Sequence, residues 1–280
     1  MQSELTRRTL ELKSGPVTAF TVIGVGLAVG VMMVPVVLGL PIEPFLLVAL
    51  YVVLLGGAMM VARRSGPGGI RRLFSGLLHW RIGVANWAIV VATIPVLTIG
   101  VAAATGSYTS PEQGWTAVVL EYLFTTFVFG ALLANLWEET VFQGLIQRNL
   151  TRRFGLLRAA AITAMPFAIW HIPINLAGGG TLGEILTAVA VTSAATAVMR
   201  YVVGRTDRVT GGSLLAAGVL HASFNASGKL PVTDDWWTYG MALVVLAVAM
   251  LAVDVLRARA TSVRLYELPP PAPTDVAISH

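Results

Sequence analysis

Long apolar segments recur along this chain and limit its fold more than any other feature. A transmembrane helix needs about 20 consecutive, mostly apolar residues, and about eight stretches approach that length. They are residues 17–40, 44–62, 84–104, 115–146, 159–176, 182–203, 211–227 and 237–256. Of the 280 residues, 56% are hydrophobic and only 12% are charged, whereas a typical soluble domain carries about 25% charged residues. The sequence therefore predicts an all-α, polytopic membrane bundle of about eight transmembrane helices.

The basic residues indicate how these segments are oriented. Arginines and lysines gather in the connections that stay in the cytoplasm, and here they gather in alternate connections. One set, together with the N-terminus, holds Arg7, Arg8, Lys13, Arg63, Arg64, Arg71, Arg72, Arg81, Arg148, Arg152, Arg153, Arg158, Arg200, Arg205, Arg208, Arg257, Arg259 and Arg264, and the other set holds Lys229. Both termini are then cytoplasmic. Residues 1–16 form a cytoplasmic N-terminal segment, residues 17–260 a single transmembrane domain, and residues 261–280 a disordered cytoplasmic tail.

Charge and cysteine content exclude several classes of function. Lys and Arg outnumber Asp and Glu by 19 to 14, but basic residues that follow one membrane face are explained by topology, so we expect no nucleic-acid partner. The chain has no cysteine, which excludes disulfides, thiolate catalysis and cysteine-ligated zinc. We expect an integral protein of a bacterial or archaeal-type plasma membrane.

Ionisable side chains lie deep inside three of the apolar segments. Glu138 and Glu139 are adjacent in the fourth segment, and His171 and His221 lie in two later ones. A charged residue at the centre of a membrane helix costs about 2.5 to 3.5 kcal/mol, so such residues are functional candidates. Counted from the nearest arginine at about 1.5 Å per residue, Glu138 lies about 15 Å deep and each histidine about 20 Å deep. The similar depths predict one site, near the midplane or in the cytoplasmic half.

Amide side chains accompany these groups at helical spacing. Gln143, Asn175 and Asn225 each follow Glu139, His171 and His221 by four residues, and residues four apart share one face of a helix. An amide can orient an imidazole or donate a hydrogen bond to a developing oxyanion. Glu138 points about 100° away from Glu139, so one carboxylate could perform chemistry while the other supports the helix.

The strings EETVFQG, FAIWH and HASFN resemble the three signature motifs of the CAAX protease and bacteriocin-processing family, intramembrane endopeptidases that include the type II CAAX prenyl proteases. That family's pattern is Glu-Glu with an Arg four residues after the second Glu, then Phe-x-x-x-His, then His-x-x-x-Asn or Asp. The matching positions are Glu138, Glu139, Phe167, His171, His221 and Asn225. The family-like core covers residues from about 115 to 227.

The resemblance implies the activity and the roles of these residues. An intramembrane endopeptidase of this kind would hydrolyse a peptide bond in a hydrophobic or lipidated peptide or protein within the lipid bilayer. Glu138 would activate the water, His171 would hold it, and His221 with Asn225 would stabilise the oxyanion. The supporting positions are Glu139, Gln143 and Phe167.

One position departs from the family pattern, because Gln143 stands where the family has its arginine. The cation that would pair with Glu139 is then missing, and burial disfavours an uncompensated carboxylate. We therefore expect Glu139 to be protonated and Gln143 to offer it only a hydrogen bond.

The sequence leaves metal dependence open. Glu138, His171 and His221 form a two-histidine, one-carboxylate set of the kind that binds catalytic zinc. However, the chain has no HExxH motif, and a water activated by glutamate without a protein-bound metal explains the same residues.

Two other functions also fit the sequence. A proteolytically silent member of the family could serve as a membrane immunity or assembly factor. A proton-coupled transporter could use buried Glu and His as a relay, and the repeated HxxxN at His171 and His221 and the prolines Pro166 and Pro173 agree with the broken helices of transporters.

Overall fold

The computed structural model describes residues 14–235 and 237–261, and these residues form helices joined by short turns. In chain order the helices are α1 (Ser14–Leu38), α2 (Glu43–Arg64), α3 (Gly69–Phe74), α4 (Val84–Thr105), α5 (Gly114–Phe154), α6 (Leu156–Ala177), α7 (Leu182–Val209), α8 (Leu214–Ser227) and α9 (Thr238–Thr261). Most of the predicted N-terminal segment and all but the first residue of the predicted tail lie outside the described residues.

The prediction of an all-α membrane bundle is confirmed. Within the described residues, seven helices are long and apolar enough to cross a membrane: α1, α2, α4, α5, α6, α7 and α9. The remaining predicted segment, residues 211–227, forms the shorter helix α8 of 14 residues. At 1.5 Å per residue α8 is about 21 Å long, less than the roughly 30 Å of bilayer hydrocarbon.

The outward surface of these helices is apolar, as a bilayer requires. Large hydrophobic side chains are exposed along several helices, for example Val22 and Leu27 on α1, Val96 on α4 and Leu120 and Phe129 on α5. In water such continuous apolar surface would be a liability. In hydrocarbon it is the favourable exterior, so the chain is an integral membrane protein.

The first of two compact units comprises residues 1–76 and 137–200. In it α1 packs against α2 and α6, and the core contains Met32, Leu54, Phe142 and Trp170. Gly57 of α2 permits a close approach to α1, since a Cβ there would lie 2.6 Å from the ring of Phe20. The part of α5 that follows residue 136 joins this core.

The second unit comprises residues 77–136 and 201–280. Here α8 packs against α4 and against residues 125–135 of α5, and α9 packs against α4. Small residues allow the close contact of α8 with α5: a Cβ on Gly130 would lie 2.6 Å from the Cβ of Ala222, as at other membrane helix interfaces. Ser213 caps α8 by accepting a hydrogen bond from the Ala216 amide, and its hydroxyl donates to the His79 carbonyl.

Helix α5 changes its winding where the two glutamates lie. Residues Thr125–Asn135 and Thr140–Gln147 are π-helical, and the short stretch Leu136–Glu139 between them is α-helical. Wide turns of this kind are rare in α-helices and occur often at functional sites. Residues Val48–Leu55 of α2 share this winding, so it does not by itself identify a site at Glu138 and Glu139.

Candidate functional site

The predicted site residues divide between the two units. Glu138, Glu139, Gln143, Phe167 and His171 belong to the first unit, whereas His221 and Asn225 belong to the second. Their side chains therefore form two groups, one in each unit.

Glu138 is almost fully buried, with 7% of its surface exposed. The indole Nε1 of Trp170 on α6 donates a hydrogen bond to Glu138 Oε1 across 3.3 Å. Trp170 itself is completely buried, so packing fixes the position of the donor. The hydrogen bond from this fixed donor orients the carboxylate. Glu138 is thus a buried carboxylate with a defined orientation.

Glu139 forms a buried ion pair with Arg200 of α7, and both side chains are 0% exposed. The expectation that Glu139 lacks a cationic partner is therefore wrong, because the guanidinium of Arg200 supplies the charge that Gln143 does not. The expected position of Arg200 in a basic connection is wrong too, since Arg200 lies inside α7. The predicted hydrogen bond between Gln143 and Glu139 stays a prediction.

Phe167 connects this ion pair to His171. The guanidinium carbon of Arg200 lies 4.3 Å from the centre of the Phe167 ring, within the range of a cation–π contact. The Phe167 ring centre is in turn 4.6 Å from that of His171 and 4.7 Å from that of Phe142. The phenylalanine of the second motif therefore packs between a buried cation and the histidine of the same motif.

His171 has a defined tautomer when neutral. Its Nδ1 lies 2.8 Å from the Phe167 carbonyl oxygen, and a carbonyl can only accept, so Nδ1 carries the hydrogen and donates. Nε2 is then the unprotonated nitrogen, able to accept a hydrogen bond from water or to ligate a metal. The expectation that Asn175 orients this ring gains no support, because the Asn175 side-chain oxygen accepts a hydrogen bond from Thr192 across 3.3 Å.

The second group lies on α8 and its neighbour α5. His221 is buried, and Asn225, one turn later, is exposed. Asn225 Nδ2 donates across 3.3 Å to Oδ1 of Asn135, a buried residue of α5. Sequence reasoning missed Asn135, although a polar amide three residues before Glu138 in an apolar segment was a usable signal.

Ser223 is a structural residue of this group. It is completely buried, and its hydroxyl lies 2.7 Å from the Tyr122 hydroxyl and donates to the Val91 carbonyl across 3.3 Å. These contacts join α8 to α4 and α5. The serine two residues after His221 is therefore part of the packing of this unit.

Across residues 14–235 and 237–261, no set of three or more His, Asp or Glu side chains is arranged to hold a metal ion. Metal dependence stays a prediction.

A known protein family resembles part of the chain. Residues 120–227 match the family model described as type II CAAX prenyl endopeptidase, Rce1-like. The matched range contains all three motifs and confirms the resemblance that they indicate. No curated protein matches the chain.

Proposed function

We propose that this chain, whose residues 120–227 match the type II CAAX prenyl endopeptidase family, is an intramembrane endopeptidase that uses a glutamate-activated water. The observation that carries the proposal is the buried Glu138 carboxylate held by the Trp170 indole. A buried, oriented carboxylate inside a matched protease segment is the group that water activation requires.

The reaction follows from what each residue can donate or accept. Glu138 takes one proton from the water, and His171 Nε2 accepts a hydrogen bond from the other, so the water oxygen attacks the peptide carbonyl carbon. His221 and the second N–H of the Asn225 amide donate to the resulting oxyanion. When the intermediate collapses, the C–N bond breaks and Glu138 returns its proton to the leaving amine. Glu139, Gln143 and Phe167 hold these groups in place.

Zinc is the alternative that the sequence leaves open, with Glu138, His171 and His221 as its predicted ligands, although no such set is arranged to hold a metal ion within the described residues. A bound zinc would acidify the water and polarise the peptide carbonyl. Extensive dialysis against a chelator tests it: lost activity that returns with zinc supports the metal, and full activity after dialysis supports the metal-free reaction. Metal content of the same samples, measured by mass spectrometry, provides a readout besides activity.

We further propose that the substrate carries a lipid chain and that this chain binds in an apolar pocket of the first unit. The pocket has a volume of about 510 Å³, within the range of about 300 to 1,000 Å³ typical of small-molecule sites. It is lined mainly by α1, α5 and α6, including Val25, Gly26, Ile146, Met165 and Ile169. Ile169 lies two residues before His171, so the pocket reaches the helix that carries a proposed catalytic group.

The endopeptidase assay tests the first proposal. Purified protein in detergent or liposomes receives a quenched fluorescent lipidated peptide, and Glu138→Gln should abolish cleavage while the protein stays folded. Glu121→Gln is the matched control, because Glu121 is an exposed glutamate on the same helix and its loss should leave cleavage unchanged. Equal turnover in wild type and Glu138→Gln would remove Glu138 from the role of base. Absence of cleavage in all three proteins would favour a proteolytically silent member.

The pocket is tested separately with a paired substitution on α1. Gly26 lines the pocket, and a side chain at Gly26 or at Gly30, one turn later, would meet open space. Gly26→Leu should raise KM for the lipidated peptide severalfold, because the leucine side chain occupies volume that the lipid chain would fill, and leave an apolar peptide without lipid unaffected. Gly30→Leu should change neither. A KM that is unchanged in Gly26→Leu would show that the lipid chain binds elsewhere.

The transporter alternative and the membrane orientation have their own tests. If the wild-type protein in proteoliposomes took up a solute under an ion gradient and cleaved no peptide, a transporter would replace the endopeptidase as the proposed function. We propose that both termini and the site are cytoplasmic, in a plasma membrane of bacterial or archaeal type, because the arginines gather in alternate connections. This orientation requires that α8 complete an eighth crossing together with the seven longer helices. Protease protection of terminal tags in intact spheroplasts tests this orientation.

A further inference from the structure

We propose that Arg200 is a positioning residue of the endopeptidase site, holding Glu139 through its charge and His171 through the ring of Phe167. The inference rests on the proposed function. It adds a residue that lies outside the three motifs EETVFQG, FAIWH and HASFN. Arg200 is 61 residues from Glu139 along the chain, so no local spacing relates the two.

Burial makes Arg200 costly unless it has such a role. Its side chain is 0% exposed and lies inside α7. Removing a guanidinium and a carboxylate from water costs several kcal/mol per ion, and replacing both by apolar residues is often neutral or stabilising. Stability therefore gives little reason for the pair, whereas the fixed position of a carboxylate next to Glu138 gives a functional one.

Several independent contacts fix the position of Arg200. Its side chain pairs with Glu139 and stacks on Phe167, and its backbone carbonyl accepts a hydrogen bond from Gln147 Nε2 across 2.8 Å. Gln147 and Glu139 both belong to α5, so the contacts tie one turn of α7 to the part of α5 that carries the carboxylates. A displacement of the guanidinium would be transmitted to both Glu139 and Phe167.

The stack on Phe167 is the step that reaches the proposed chemistry. Phe167 supplies the carbonyl that fixes the His171 tautomer, and its ring also contacts the His171 ring. A planar guanidinium covers the face of an aromatic ring, and the compact ammonium of lysine covers it less well. Arginine at this position therefore has two distinct contributions, one of charge and one of shape, and substitutions can separate them.

Two folded variants test the inference. Arg200→Lys keeps the charge but loses the planar stack, and the double variant Glu139→Gln with Arg200→Met removes both charges and so leaves no buried ion alone. We expect kcat to fall about tenfold in Arg200→Lys and about 100-fold in the double variant, by misplacement of the reacting groups, with KM within about twofold of wild type because no substrate contact is lost.

Arg205→Met is the matched control on the same helix. Arg205 also forms an ion pair, with Asp254 at 3.0 Å, but it belongs to the second unit and lies one turn beyond the Glu139 contact. Its loss should lower the melting temperature and leave kcat unchanged.

The results separate the inference from the proposed function. Wild-type kcat in Arg200→Lys and in the folded double variant would overturn the positioning role while leaving the endopeptidase intact. A rise in KM with unchanged kcat would overturn it as well, because it would place Arg200 in substrate binding. No cleavage by wild type would overturn both proposals. If Arg200→Lys does not fold, the double variant alone decides by its kcat.

Discussion

The contact between Gly218 of α8 and Leu136 of α5 predicts that one added methyl group will impair the enzyme. A Cβ at Gly218 would lie 2.6 Å from Leu136 Cδ2, 2.9 Å from its Cα and 3.1 Å from its backbone nitrogen. The Leu136 side chain can rotate away, but its backbone cannot. The Gly218→Ala variant must therefore separate the two helices.

The magnitude follows from these distances. Ordinary carbon contacts begin at about 3.4 Å, so relieving the 2.9 Å contact moves α8 by about 0.5 Å. Alanine is preferred to glycine in a helix by about 0.5 to 1 kcal/mol, whereas overpacking costs about 1 to 3 kcal/mol, which gives a net loss of about 1 kcal/mol. His221 is three residues further along α8 and moves with it. A displacement of about 1 Å costs about 100-fold in rate, so half of that predicts about a tenfold loss of kcat.

The assay compares melting temperature and kcat with those of Gly100→Ala. Gly100 lies within α4, and a Cβ there meets nothing within 4 Å, so this control gains helix preference without a clash and should be at least as stable as wild type. Gly218→Ala should melt lower and cleave more slowly than Gly100→Ala. Identical stability and rates in the two variants would refute the argument that the close approach positions His221.

Two further substitutions give contrasting results. Trp170→Phe removes the indole donor to Glu138 but keeps most of the buried ring. Because a hydrogen bond to a charged group is worth about 1.5 to 3 kcal/mol, kcat measured with the lipidated peptide should fall about 10- to 100-fold. An unchanged kcat would show that the indole does not hold the base. Ser223→Ala removes the contacts with Tyr122 and Val91 and should lower stability by about 1 kcal/mol with cleavage retained, whereas a folded but inactive Ser223→Ala protein would point to a serine nucleophile.

The length of the apolar segments predicted the helices well because the bilayer imposes one simple requirement, a continuous hydrogen-bonded apolar segment. The predicted segment 84–104 is the helix Val84–Thr105. The predicted segment 211–227 begins later, at Leu214, because Gly211 and Gly212 have positive φ angles of 69° and 93° and Ser213 caps the helix. Local turn chemistry decided that boundary.

The predicted end of helix α7 was wrong because of its arginines. Residues 182–203 were expected to span, but α7 continues to Val209. A basic connection at the membrane surface is the position that the sequence predicts for Arg200 and Arg205. Both instead lie within the helix, where they pair with Glu139 and Asp254. An ion pair offsets the cost of a charge within an apolar segment, so an arginine need not mark the end of a span.

The motifs supply the proposed site residues but not the partners of those residues. Trp170 and Arg200 come to Glu138 and Glu139 from other helices, 32 and 61 residues away in the chain, and such contacts depend on helix packing that sequence spacing does not encode. One signal was available, since Arg200 lies inside a segment already predicted to be membrane-spanning. An intramembrane cation requires a partner, and Glu139 was the carboxylate in need of one.

The contacts of the two adjacent carboxylates explain why the chain places them side by side. Arg200 forms an ion pair with Glu139 and so engages that carboxylate, which suits the proposed supporting role. Trp170 holds one oxygen of Glu138 through a hydrogen bond from Nε1 to Oε1. A base must be held within reach of the proton that it takes, and in the proposed mechanism this demand falls on Glu138. The different partners of the two carboxylates thus support the proposal that Glu138 is the base.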